Sequence, residues 1–423
     1  MGARAPVRSR LVEENAMAGS RFHAHRPSGE DQAAGARAAV PGAFWVIAYL
    51  FTVIMVGTTL PTALYGIYQE RWHFSSGIVT LIYAVYAGGV LAALLLAGRA
   101  SDQVGRRPVL WVAAGMSLLS TVVFITAPAL GWLFPARVLS GFSAGLTTGT
   151  ATAALADLAG PANARKASMV ATAVNLGGLG LGPLVAGLFA QYGPDPTTLV
   201  FETYLAPVAL AAALLLLVPE TVTARRPLRL RFAGFGIPEG ARSRFVAAGL
   251  AVFAALSLLG LFTALAPTFL SSVLHQHNIA ANSAIVTLMF ACATLTQLGL
   301  ASRPPSLSMR LGLGTFPVGL ALIVIALWQA SLAILLVGTV VGGAAIGGAF
   351  IGSLRLAQHL APPDKRGQVV STYFIFGYVG LTIPVIAVGF SSEHIGILAA
   401  VFWCSLFIAA VAAYSFGVIT RKV

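Results

Sequence analysis

Apolar residues run along this chain in twelve long stretches separated by short polar connections. They fall at 44–67, 76–99, 108–130, 132–157, 165–191, 199–219, 244–273, 281–303, 308–328, 331–357, 368–391 and 394–418. Their apolar content is far beyond what one core needs, which makes lipid their solvent. A hydrocarbon layer about 30 Å thick is crossed by roughly 20 helical residues, and every stretch reaches that length. In lipid each backbone polar group must be satisfied within its own segment, so runs of this length are helices. The pattern predicts an all-α membrane protein with twelve transmembrane helices. The longest internal connection, 220–243, divides them into six-helix bundles at 44–219 and 244–418. It carries Arg225, Arg226, Arg229, Arg231 and Arg242 with Pro227 and Pro238. Its mix of arginines with Leu228, Leu230 and Phe232 suits either a membrane surface or a solvated linker. Residues 1–43 are polar and Arg-rich with no apolar run and read as a disordered basic tail; 419–423 form a second, short tail.

The positive charges give this layout a direction. Of the 26 Lys and Arg, 24 fall in the termini, in the even-numbered connections or at the span ends that border those connections. Arg71, after the first span, and Arg137, inside the fourth, are the exceptions. Basic loops stay on the cytoplasmic side, so both termini are expected inside the cell and the odd-numbered loops outside.

Composition excludes the soluble classes. Only 9% of residues are charged, against about 25% in a soluble domain, and the mean hydropathy is +0.86. The net charge of +13 sits in short loops, where topology and anionic lipid account for it and nucleic acid is not implied. Basic residues that are nearly all Arg, with abundant Ala, Gly and Leu, point to a bacterial cell (inner) membrane. Cys292 and Cys404 both lie inside spans, without metal or redox spacing, and read as small apolar residues. The seven His are scattered, and no nucleophile–base or metal-ligating cluster appears, so neither an enzyme nor a metal site is expected.

The two halves carry a faint internal repeat at an offset of 201 residues. Gly98 pairs with Gly299, Gly141 with Gly342, Pro161 with Pro362, Arg165 with Arg366 and Pro183 with Pro384. Two parallel six-helix repeats imply a pseudo-two-fold axis along the membrane normal and a transport path in the cleft between them.

Three motifs add chemistry. After span 2, Gly98, Asp102, Gly105, Arg106 and Arg107 make a short charged turn. The glycines permit unusual dihedrals, and the Asp can cap a helix or pair with Arg. This turn resembles the signature loop, motif A, of the major facilitator superfamily, with Gln103 in place of the usual Arg. In span 4, Arg137 is followed by Gly141, Gly145 and Gly149 on one drifting face. A full charge inside a span is costly and faces a cavity, a partner or, by snorkelling, the headgroups. This stretch resembles motif B, whose Arg is linked in that family to proton coupling. In span 5, Gly178, Gly182 and Pro183 lead to Gly187, where the glycines permit tight packing and the Pro loosens the helix. This resembles motif C of the family's antiporters. The second-half loop at Gly299–Arg303 lacks the Asp, and Pro219-Glu220-Thr221 reads as a helix stop without chemistry.

Few polar residues can line the cleft. Candidates are Thr59, Thr62 and Tyr65 in span 1, Tyr83 and Tyr86 in span 2, Asn175 in span 5, Gln297 in span 8, and Tyr373 and Tyr378 in span 11. Pro61 and Pro267 are candidate gate bends. No acid lies in span 1; Glu202, His275 and His277 read as solvated residues near the outer loops. Such a path suits a lipophilic or weakly polar substrate. The resemblance implies a secondary transporter of the drug–proton antiporter type. It would export a small hydrophobic compound by alternating access, with Asp102 latching the cytoplasmic side and Arg137 tuning a proton site. No cofactor is expected beyond a proton gradient. The expected partners are a small-molecule substrate, protons and the lipid bilayer, with no nucleic acid, and the chain is expected to act as a monomer. Import of a small nutrient by a symporter or facilitator is the alternative within transporters; a membrane sensor or embedded enzyme is less supported.

Overall fold

The computed structural model describes residues 2, 42–98, 100–223, 225–228, 236–238, 240–272, 275–362 and 365–421. The expected tail before residue 42, Arg99, and the linker residues Arg229, Leu230, Arg231 and Phe232 lie outside the described residues, apart from Gly2.

Among the described residues, twelve helices of spanning length follow one another. They are α1 (Ala43–Trp72), α2 (Ser76–Ala97), α3 (Arg106–Ile125), α4 (Leu133–Ala159), α5 (Ala164–Tyr192) and α6 (Pro196–Leu215). The second half has α7 (Arg242–Ser272), α8 (Ile279–Leu300), α9 (Pro305–Trp328), α10 (Leu332–Leu360), α11 (Arg366–Ile395) and α12 (Ile397–Arg421). No strand occurs among the described residues.

Eleven of these helices are apolar enough as well as long enough to cross a membrane. The twelfth is α4, which carries Arg137 and Asp157 among many Gly, Ser and Thr. It packs against α1, α2, α3 and α5, so protein rather than lipid satisfies its polar groups. Helix α1 runs further than its apolar stretch, continuing through the polar segment Tyr65–Trp72. Between Leu60 and Leu64 it tightens into a 3-10 turn whose second residue, Pro61, denies the helix one donor. Helix α7 stays helical through Pro267. At the junction of α11 and α12 a single residue, Gly396 at φ 80°, reverses the chain, a dihedral that side chains with a Cβ resist.

The neighbour map repeats with a shift of six helices. The pairs α1–α4, α1–α5, α1–α6, α2–α4, α3–α4 and α3–α6 reappear as α7–α10, α7–α11, α7–α12, α8–α10, α9–α10 and α9–α12. Two pseudo-symmetric six-helix bundles result, joined chiefly along α2–α11 and α5–α8. Close packing repeats too. A Cβ on Gly141 would strike Tyr86 O on α2, and one on Gly343 would strike Met289 O on α8. By contact, then, Gly343 rather than Gly342 is the partner of Gly141; in this region the repeat runs at 202 residues along α4 and α10 and at 203 along α2 and α8.

Candidate functional site

A cavity of about 730 Å³ lies between the halves. Its mouth is bordered by Gly98, Ala164, Gln358 and Gly367, at the end of the bundle where the basic loops lie. Its lining extends toward the opposite end as far as Thr59, Tyr83, Arg137 and Leu381. Most of the wall is apolar, built by Met55, Leu176, Leu179, Phe290, Phe350 and Phe374. Among the described residues, Arg137 and Arg355 are the charged ones that line it, and no carboxylate does.

Arg137 is fully buried, at 0% exposure, which removes the snorkelling alternative. Its guanidinium donates to Thr58 O on α1 at 2.5 Å and stacks over the Tyr86 ring with 4.3 Å to the centroid. Tyr83 lies at 6.0 Å on the same side. The aromatic faces offer negative quadrupoles to a cation that has no acid among its described contacts. Arg137 Nε has no hydrogen-bond partner. The charge is therefore held by one carbonyl and two rings, with the Nε–H left unpaired.

The path candidates divide. Thr59, Tyr83, Tyr86, Asn175, Gln297 and Tyr378 line the cavity. Thr62, Tyr65 and Tyr373 do not. Thr62 bonds Thr59 O within the 3-10 turn. Tyr65 is buried in the apolar cluster of the first half, its hydroxyl without a partner. The Tyr373 hydroxyl meets Ser353 Oγ on α10 at 2.8 Å and ties two helices together.

The motif C segment is an interhelical seam. Pro183 has no N–H, so the carbonyl of Leu179, four residues back, loses its helical donor. Thr59 Oγ1 of α1 donates to that carbonyl at 2.9 Å. The adjacent Gly180 O accepts from Thr287 Oγ1 of α8 at 2.8 Å. Gly178 and Gly182 sit against α1, and Gly180 and Gly187 against α8, so a Cβ at any of them meets a neighbouring helix. In motif B, Gly145 presses on Ala93 and Val90 of α2 as Gly141 does on Tyr86; a Cβ on Gly149 meets nothing.

The motif A turn is tied within its own half. Asp102 is 60% exposed at its side chain and pairs with Arg106, four residues on. Arg106 also reaches Asp157 at the end of α4, Nε to Oδ2 3.2 Å, and donates to Ser101 Oγ at 2.8 Å. A latch from Asp102 to the second half, expected from the resemblance, is not engaged here: the carboxylate's partner is in its own loop. The anchor is Glu220, to which the sequence assigned no chemistry. Its carboxylate accepts the backbone N–H groups of Arg106 at 2.9 Å, Arg107 at 3.1 Å and Val222 at 3.0 Å, and faces Arg225 at 3.7 Å. Gly105 adopts φ 113°, and a Cβ there would collide with Glu220. Thr221 Oγ1 adds a bond to Asp157 at 2.9 Å. The acid and the glycine belong together, but their separation in sequence hides it.

The family model of the Major Facilitator Superfamily matches residues 45–383. The chain belongs to that superfamily. It is a multi-pass membrane transporter, not an enzyme. Its fold is similar to that of a bacterial homologue of the human lysosomal transporter Spinster, solved inward-facing and unoccupied. That likeness has a TM-score of 0.74 at 16% identity over 91% of this chain and 98% of that one. It is also similar to the human organic anion transporter MFSD10 (TM-score 0.65, 18% identity, 90% of this chain and 99% of that one). The nucleoside transporter NupG resembles it with a TM-score of 0.69 at 13% identity, over 90% of this chain and 99% of that one. At these identities the likenesses establish the fold and leave the cargo to the site.

Proposed function

We propose that this transporter exports a small lipophilic compound across a bacterial inner membrane in exchange for protons, as a monomer. The bundles 44–219 and 244–418 would be its two moving bodies. The observation that carries this reading is the cavity: large, mostly apolar, and open at the end bearing the basic loops. By the charge rule that end faces the cytoplasm, so in this state the cavity is reached from inside. The resemblance of Gly178, Gly182, Pro183 and Gly187 to the antiporter motif supports export.

The site also selects by charge. A monocation about 6 Å from Arg137 is disfavoured by roughly 3 kcal/mol at an effective dielectric of about 20. Neutral or anionic lipophiles are therefore preferred over cations. With no carboxylate among the described lining residues, Arg137 is the candidate for tuning the proton-linked step, through the Thr58 carbonyl and the Tyr86 ring that hold it.

The test uses inverted membrane vesicles energised acidic inside and a panel of neutral, anionic and cationic lipophiles. Export coupled to protons raises the internal pH when a transported compound is added, and Arg137→Ala abolishes the rise. Accumulation in right-side-out vesicles driven by external acid would instead establish uptake and overturn the reading.

A further inference from the structure

The end of the bundle opposite the basic loops is shut by two contacts that repeat each other. Near the end of α11, Glu393 Oε1 accepts the N–H of Gly77, in the first turn of α2, at 3.0 Å. Near the end of α5, Gln191 Oε1 accepts the N–H of Ile279, in the first turn of α8, at 2.8 Å. Gly77 and Ile279 are 202 residues apart, and so are Gln191 and Glu393. Each bond joins the first half to the second. Each places a side-chain oxygen on a helix N-terminus, where N–H groups lack helical acceptors and the dipole favours negative partial charge.

One turn earlier, each capping helix carries a glycine against its neighbour. A Cβ on Gly187 would strike Ser283 Oγ, and one on Gly389 would strike Thr80 Oγ1. The sequences are Gly187-Leu188-Phe189-Ala190-Gln191 and Gly389-Phe390-Ser391-Ser392-Glu393. Each reads as a glycine that lets the helices touch, followed four residues later by an oxygen that caps the helix touched.

We infer that Gln191 and Glu393 are paired positioning residues that hold this end closed while the cavity is open at the other. Both bonds must break when the halves rock apart here, because each spans the seam along which they separate. The pair is chemically unequal: an amide on α5–α8 and a carboxylate on α2–α11. The carboxylate complements the helix dipole more strongly, so the α2–α11 seam is the firmer. The inference rests on the alternating-access part of the proposed function and on no property of the cargo.

The test reads conformation directly on protein purified in detergent, without gradient or substrate. Cys292→Ser and Cys404→Ser clear the background. Thr80→Cys, at a position 0% exposed, reports the closed end, and Ser168→Cys, in the cavity wall, reports the open one. Each is reacted with a bulky maleimide. With the alternative state starting near about 5% population, loss of one cap in Glu393→Ala raises Thr80→Cys labelling about fourfold. Adding Gln191→Ala brings the rise to about tenfold and cuts Ser168→Cys labelling by roughly half. Glu393→Gln, which keeps a capping oxygen, stays within about threefold of the parent. Unchanged Thr80→Cys labelling in the folded double variant overturns the inference. So does a rise there with no fall at Ser168→Cys, which marks local fraying. Gln191→Ala alone repeats the test on the second seam should Glu393→Ala be poorly folded. A failed export assay leaves these rates readable, so the two proposals fail separately.

Discussion

The two ends of this bundle are built on different plans. At the end away from the basic loops, polar contacts cross from one half to the other, in Glu393 to Gly77 and Gln191 to Ile279. At the basic end, the densest polar network ties the first half to the start of the linker without reaching the second half, from Asp102 through Arg106 to Asp157, with Glu220 gathering three backbone N–H groups. The inter-half bond described there runs from Arg165 to Ser302 Oγ, 2.6 Å, between exposed side chains. The crossing contacts set which end is shut; the local network keeps a loop in shape. Substitutions at the two ends should accordingly differ in kind, one altering the balance of states and the other the order of a turn.

The largest expected effect is a wedge at the shut end. Gly389→Leu drives a side chain into Thr80 and should abolish transport while cavity labelling from the basic end falls severalfold; transport at the parent rate would break the comparison. Next comes Arg137→Ala, which leaves Thr58 O without its buried donor and removes the charge over Tyr86. Proton-driven exchange should be lost in the vesicle assay; an unchanged pH profile would return Arg137 to a packing role. Thr59→Val strips the Leu179 carbonyl of its donor and should cost about 1–3 kcal/mol in stability, read as a lowered thermal midpoint in detergent. The smallest effect on stability is that of Asp102→Asn, whose pair with Arg106 is largely solvated. Its thermal midpoint should move by no more than about 2 °C. Its transport rate should nevertheless fall if the loop latches the halves in the opposite state, and an unimpaired rate would confine Asp102 to shaping its own turn.

Much of the fold was legible in hydropathy, because lipid demands long apolar runs and the charge pattern separates them. The errors have local causes. The first span was expected to stop at 67, but α1 continues to Trp72, since helical geometry outlasts apolarity once the chain has left the bilayer. The third was carried to 130, but α3 ends at Ile125, where Thr126 closes the helix ahead of Pro128. The site was legible only by residue type. Tyr373 and Tyr378 are five residues apart, roughly 140° around a helix, so one faces the cavity and the other Ser353. Sequence gave no means of choosing between those faces. Tyr83 and Tyr86, three apart, share a face and both line the wall. Gln191 and Glu393 went unnoticed because a polar residue at a span end looks like an ordinary interfacial one; their shared register with two distant helix starts is visible only in three dimensions.

Helix α4 has a consequence for how the protein is made. It carries a buried Arg137 and fails, by composition, the apolarity that its eleven companions meet. An arginine is disfavoured by about 2.5–3.5 kcal/mol at the centre of an inserting segment; Arg137, one turn from the start of α4, costs less than that, but the Gly, Ser and Thr of the helix offset little of it. Such a segment is a poor candidate to leave the translocon by itself. Its hydroxyls bond carbonyls of α4 itself at Ser140, Thr147, Thr148 and Thr152, but the Arg137 guanidinium finds its acceptor on another helix, at Thr58 of α1. Biogenesis of the first half should then be collective, with α4 retained beside the translocon until α1 to α3 can receive it.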